Sequence, residues 1–206
     1  MLTTRYKAAF ARLVDPLARP LARCGVSPSA VTLGGLLLVG ASCAVLVITK
    51  RLLLFCVLAT LATLLDALDG AVARAGGRPT SFGSYLDAMC DRYGEAAVVL
   101  TVAAVTGYWA LSMLVLAGAL LVSYAKARAA MEVPVSNLEW PDLMERTERD
   151  ACYIAGLAAS QLLPWKPLGR DLFWWTLVIL SILIHMTVIQ RILRARRLIH
   201  ARSRAV

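Results

Sequence analysis

Six stretches of this chain are apolar over close to the ~20 residues that a helix needs to cross a lipid bilayer. They fall at 30–49, 52–74, 83–107, 108–130, 150–165 and 171–193. The fifth is the weakest of them, being short, holding Gln161 and ending at Pro164. Composition agrees, because 59% of the residues are hydrophobic and the mean hydropathy is +0.68, whereas soluble domains have roughly 45–50% apolar residues. The expected fold is therefore all-α: a polytopic integral membrane protein of six transmembrane helices. A single membrane domain covers 1–206, with a juxtamembrane arm at 1–29, a core at 30–193 and a basic tail at 194–206.

The arm is polar and basic and is followed by two long apolar runs in close succession, so no removable signal is expected. Gly40-Ala41-Ser42-Cys43 faintly resembles a lipoprotein cleavage site, but cleavage there would remove the first span. Within the arm Phe10, Leu13, Val14, Leu17 and Leu21 lie to one side of the basic residues, and Pro16 and Pro20 bend or break the run. This predicts an amphipathic helix lying at the membrane interface, and a plain juxtamembrane anchor would show the same pattern. The cysteines, Cys24, Cys43, Cys56, Cys90 and Cys152, are odd in number and form no CxxC pair. They are expected to pack as small apolar residues and not to form disulfides or a metal site.

Lys and Arg set the orientation. With six spans, one side receives Arg5, Lys7, Arg12, Arg19 and Arg23, the 74–82 and 126–149 connections, and a tail holding Arg191, Arg194, Arg196, Arg197, Arg202 and Arg204. The other side receives Lys50, Arg51, Lys166 and Arg170. Both termini are accordingly expected in the cytoplasm, with the protein in the cytoplasmic (inner) membrane. The net charge of +9 suits anionic lipid headgroups as partners. Nucleic acid is excluded, because the basic residues flank spans and do not build a folded basic domain.

Of 13 acidic residues, five fall inside two apolar runs: Asp66, Asp69, Asp87, Asp91 and Glu95. A carboxylate at membrane depth is unfavourable and marks a functional site. Asp66 and Asp69 are three apart and Asp87 and Asp91 four apart, so each pair shares a helix face. At ~100° per residue Gly70 and Ala73 lie close to the azimuth of Asp66, and Gly83 lies on the Asp87 side, which lets a bulky group approach. Four carboxylates so close repel one another unless cations neutralise them. Hard oxygen donors select Mg²⁺, Mn²⁺ or Ca²⁺. Two such ions suit in-line displacement at phosphorus, and one carboxylate could take a proton from an attacking hydroxyl. Two other readings compete: buried ion pairs with Arg74 and Arg92, and the acidic path of a divalent-cation transporter. Two arginines cannot balance five carboxylates, and a conduction path would place acids at several depths.

The run Asp66-x-x-Asp69-Gly70-x-x-Ala73-Arg74, followed after eight residues by Gly83 and then Asp87 and Asp91, resembles the signature of the CDP-alcohol phosphotransferases at every defined position. The resemblance implies a divalent-metal-dependent transferase in which Asp66, Asp69, Asp87 and Asp91 bind two divalent cations, Mg²⁺ or Mn²⁺, and Asp91 is the general base. It also implies that Gly70, Ala73 and Gly83 let the cytidine diphosphate lie close, that Arg74 supports the site, and that the protein is a homodimer. Ser27-Pro28-Ser29-Ala30-Val31-Thr32 is similar too and would bring Pro28 and Thr32 to the nucleotide, although Ser29 stands where Asp or Asn is usual.

Ser123-Tyr124-Ala125-Lys126-Ala127-Arg128-Ala129, Glu145-Arg146-Thr147-Glu148-Arg149 and Gln190-Arg191 resemble the bacterial phosphatidylinositol-phosphate synthases. That likeness implies a basic pocket for the acceptor's phosphate, built from Lys126, Arg149 and Arg191, with Arg128 in the same basic stretch. Snorkelling at a positive-inside boundary would explain the same residues. The expected reaction is CDP-diacylglycerol plus inositol phosphate giving a phosphatidylinositol phosphate and CMP, with glycerol 3-phosphate as the alternative acceptor. Glu95 extends the Asp87–Asp91 stripe by a turn, to support the metal site or serve the acceptor. Arg146 is expected to pair with Asp142 or Asp150, and His185 to make a helix–helix hydrogen bond.

Overall fold

The computed structural model describes residues 27–75, 80–133, 143–144 and 146–203, with the backbone alone for 66–75 and 202–203. The amphipathic arm and the Trp140 and Asp142 region lie outside the described residues. Among the described residues six α-helices run in order: α1 Pro28–Thr49, α2 Leu52–Ala75, α3 Ser81–Thr106, α4 Trp109–Glu132, α5 Arg146–Leu162 and α6 Leu172–Ser203. A short 3-10 turn, Pro167–Gly169, precedes α6.

The protein is all-α and polytopic. Among the described residues, three helices are long and apolar enough to cross a membrane, at Pro28–Thr49, Trp109–Glu132 and Leu172–Ala201. The other three expected spans are not among them. In α2 the apolar segment Leu52–Leu65 is followed directly by Asp66 and Asp69. Asp87, Asp91, Arg92 and Glu95 interrupt α3, and α5 has only 17 residues and opens on Arg146, Glu148, Arg149 and Asp150. The last helix, α6, runs without a break from Leu172 to Ser203, into the basic tail.

Two compact units divide the chain, Met1–Thr101 and Val102–Val206, with the boundary inside α3. In the first, α1 begins at Ser27, whose hydroxyl accepts from the Ala30 amide at 3.2 Å, with Pro28 in the first turn, where its missing N–H is harmless. Lys50 ends α1 in the left-handed region (φ 55°), its amide bonding the Leu46 carbonyl at 2.8 Å, and α2 starts two residues later. The α1–α2 hairpin buries Ser42, Cys43 and Leu46 on one helix, and Phe55, Cys56, Ala59 and Ala62 on the other, at helical spacing. Leu37 and Ile48, 74% and 80% exposed, leave an apolar outer surface that fits lipid.

The second unit is organised by α6, which packs on both α4 and α5. Its buried positions Phe173, Leu177, Leu180, Ile184, Thr187, Val188 and Arg191 repeat every three or four residues. Lipid is as apolar as leucine, so helices in a membrane gain mainly from close contact, and two glycines provide it. A Cβ on Gly118 would lie 2.6 Å from Ile184 Cγ2, and one on Gly156 would overlap the Thr176 side chain. His185 bonds the Ser181 carbonyl of its own helix at 2.9 Å and meets α4 sterically, against Gly118. The interhelical hydrogen bond expected of it is thus replaced by an intrahelical one. Asp171 caps α6 through the Trp174 amide at 2.8 Å and accepts the Tyr108 hydroxyl at 2.7 Å. Cys43, Cys56 and Cys90 are buried thiols and Cys152 an exposed one, none of the four in a disulfide.

Candidate active site

Helix α3 begins with Thr80 as its cap: the Thr80 hydroxyl accepts from the Gly83 amide at 2.9 Å. That bond explains the small residue at 83. A Cβ there would stand 2.9 Å from Thr80 Oγ1 and 3.9 Å from Ser29 Oγ, so the starts of α1 and α3 lie side by side. Of the residues expected near the nucleotide at this end, Pro28 opens α1, and Thr32 is buried with its hydroxyl on the Pro28 carbonyl at 3.1 Å.

Four residues beyond Gly83 comes Asp87, and four further Asp91, on the same side of α3 as Gly94, which faces Leu36 and Val39 of α1 at 3.8 and 3.9 Å. The carboxylates therefore continue toward the start of α3 the face that packs inward, and the Asp91 side chain is only 14% exposed. Phe82, Tyr85 and Tyr93 lie roughly half a turn away and are all more than 60% exposed. Charge points in and rings point out.

Asp91 has a cationic neighbour. Its Oδ2 lies 3.8 Å from Arg92 Nη2, and Arg92 Nη1 donates to Glu95 Oε2 at 2.8 Å. Arg92 was an expected ion-pair partner for the five acids, and of the two contacts the one to Glu95, three residues on, is the closer.

Helix α2 runs unbroken through Asp66, Asp69, Gly70, Ala73 and Arg74, which keeps the two aspartates one turn apart on a helix; their side chains lie outside the described residues. Among the described residues no group of three His, Cys, Asp or Glu assembles as a metal cluster. The donor set nonetheless fits hard divalent cations, because Asp87 and Asp91 share an inward face and offer oxygen alone.

The second unit holds the basic candidates. Arg149 and Arg191 are 4% and 7% exposed, at the ends of the buried stripes of α5 and α6. Arg191 Nη1 donates to the Val122 carbonyl of α4, and the neighbouring Gln190 Oε1 accepts the Leu143 amide at 3.3 Å. Lys126 and Arg128 project about 200° apart on α4. Arg128 pairs with Glu132 at 2.6 Å, both half-exposed. Arg146 lies 3.5 Å from Asp150, one of its two expected partners.

The sequence profile of the CDP-alcohol phosphatidyltransferase family matches residues 25–183. The phosphatidylinositol phosphate synthase of Mycobacterium marinum is 34% identical over 187 residues, covering 86% of this chain and 78% of the relative. The archaetidylinositol phosphate synthase of Methanothermobacter thermautotrophicus is 30% identical over 198 residues, covering 93% of each. The crystal structure of the Mycobacterium tuberculosis phosphatidylinositol phosphate synthase with CDP-DAG bound superposes with a TM-score of 0.76 at 29% identity, covering 89% of this chain and 94% of that one. The same protein in complex with manganese and citrate also gives 0.76 at 29% identity, covering 88% of each.

Proposed function

This chain belongs to the CDP-alcohol phosphatidyltransferase family, and from that premise we propose that it moves the phosphatidyl group of CDP-diacylglycerol to inositol phosphate, releasing CMP. The observation that carries the reading is the joint presence, in one chain, of the whole aspartate signature and near full-length similarity to phosphatidylinositol phosphate synthases.

Asp66, Asp69, Asp87 and Asp91 would hold two divalent cations, Mg²⁺ or Mn²⁺, which when bound supply positive charge to the pyrophosphate oxygens. The manganese-bound relative supports this. Asp91 would take the proton of the acceptor hydroxyl; the new bond runs from that oxygen to the lipid-side phosphorus, and the bond from that phosphorus to CMP breaks. Gly70, Ala73 and Gly83 leave room for the nucleotide, Pro28 and Thr32 flank it, and Arg74 supports the aspartates. Lys126, Arg149 and Arg191 would bind the acceptor's phosphate as charge-assisted donors, and Arg128 joins them only by leaving Glu132. We place both termini and the site on the cytoplasmic side, count all six helices as spans and take the working unit as a homodimer.

The test is CMP release by purified protein with Mn²⁺ and labelled CDP-diacylglycerol, across inositol phosphate, inositol, glycerol 3-phosphate and serine. Release with inositol phosphate alone is expected. Preference for glycerol 3-phosphate would replace the acceptor. Uptake of divalent ions into liposomes without CMP release under any acceptor would overturn the reading in favour of a transporter. The archaeal relative makes an ether-linked CDP-lipid the second donor to assay.

A further inference from the structure

Arg92 stands between two carboxylates of one helix but is not shared equally. Its Nη1 is 2.8 Å from Glu95 and its Nη2 is 3.8 Å from Asp91, at the outer edge of an ion pair. Side chains one residue apart on a helix diverge by ~100°, so an arginine reaches the residue before it only by folding along the helix surface. Glu95, three residues on, lies in its natural reach and is the better buried partner, at 9% exposure. A guanidinium carries several donors in a rigid plane, so fixing one nitrogen fixes the others. Tied to Glu95, Arg92 lies alongside Asp91 without closing on it.

We propose that Glu95 is a positioning residue that holds the Arg92 guanidinium off Asp91 and so keeps the Asp91 carboxylate available to a divalent cation. Without Glu95, Arg92 needs to move only about 1 Å to make a short, charge-assisted pair with Asp91. Protein cation and metal cation would then compete for the same oxygens. The inference rests on the proposed role of Asp91 as a metal ligand.

Opposition of this kind predicts a sign that ordinary structural damage does not. Mn²⁺ affinity is measured on the purified full-length protein in detergent, by titration with electron paramagnetic resonance of the free ion, beside thermal unfolding and CMP release. Glu95→Gln should weaken Mn²⁺ binding on the order of tenfold, and Glu95→Asp, with its shorter reach, about threefold. The double variant Arg92→Gln/Glu95→Gln should recover most of that loss, because the competitor is gone.

Wild-type affinity in both Glu95 variants, or a double variant no tighter than Glu95→Gln, overturns the proposal. Should Glu95→Gln not fold, Glu95→Asp decides in its place: unchanged affinity overturns the inference and a loss supports it. Asp91→Asn separates the two levels. If it binds Mn²⁺ like the wild type, the reading of Asp91 as a ligand fails and takes this inference with it. If it loses Mn²⁺ while the Glu95 variants do not, only the inference fails.

Discussion

Helices α3 and α6 both carry charge into apolar sequence, in opposite styles. In α3, Asp87, Asp91, Arg92 and Glu95 fall within nine residues, and the helix no longer qualifies as a membrane span. In α6 the run from Leu172 is free of acidic and basic residues other than His185 until Arg191, and its buried stripe is set against Gly118 and Gly156. The first gives up apolar length to gather ionisable groups on one face. The second keeps its length and uses small residues for close contact. The proposed chemistry and the scaffolding thus fall on different helices, and variants in the two should fail differently.

The sharpest test of that division is Asp91→Asn. CMP release should fall on the order of a thousandfold while the unfolding temperature stays near that of the wild type; a large drop in stability would mean that α3 is scaffold after all. Gly156→Ala should do the reverse. Its methyl would stand 2.6 Å from Thr176 Cβ, so a loss of about 2 kcal/mol in stability is expected, with the folded fraction keeping its activity. Arg191→Lys blurs the line between the two, because Arg191 is both packed in the stripe and proposed to bind phosphate. We expect its KM for inositol phosphate to rise about tenfold, as a fork becomes a point charge, with kcat little changed. Tyr108→Phe should be mildest, about 1 kcal/mol in thermal unfolding, from loss of the bond to Asp171.

What could be read from the sequence follows the same division. The aspartates stood out because charge in an apolar run is rare and their spacing is helical. The helices themselves were legible from the length of the apolar runs. The limits of those runs were not: α6 extends ten residues past Leu193, because Arg, Leu and Ile continue a helix in water as well as in lipid. Nor did the sequence say that Arg128 would engage Glu132, or that Arg92 would prefer Glu95 to the aspartates. Each depends on which of several partners within reach wins, a contest of fractions of a kcal/mol. Gly118 and Gly156 were equally silent, since a glycine in a helix does not announce which neighbour it admits.

The two-residue link at Lys50-Arg51 bears on how the molecule is made. A turn this short obliges α1 and α2 to emerge from synthesis as neighbours, with almost no loop entropy to overcome. It brings the C-terminal half of α2 back beside the beginning of α1, at the hairpin's open end. Asp66 and Asp69 therefore arrive next to an uncharged companion helix before α3 has been translated. Lengthening that turn by a few residues would leave every aspartate in the chain and remove the guarantee that the first two reach their station together.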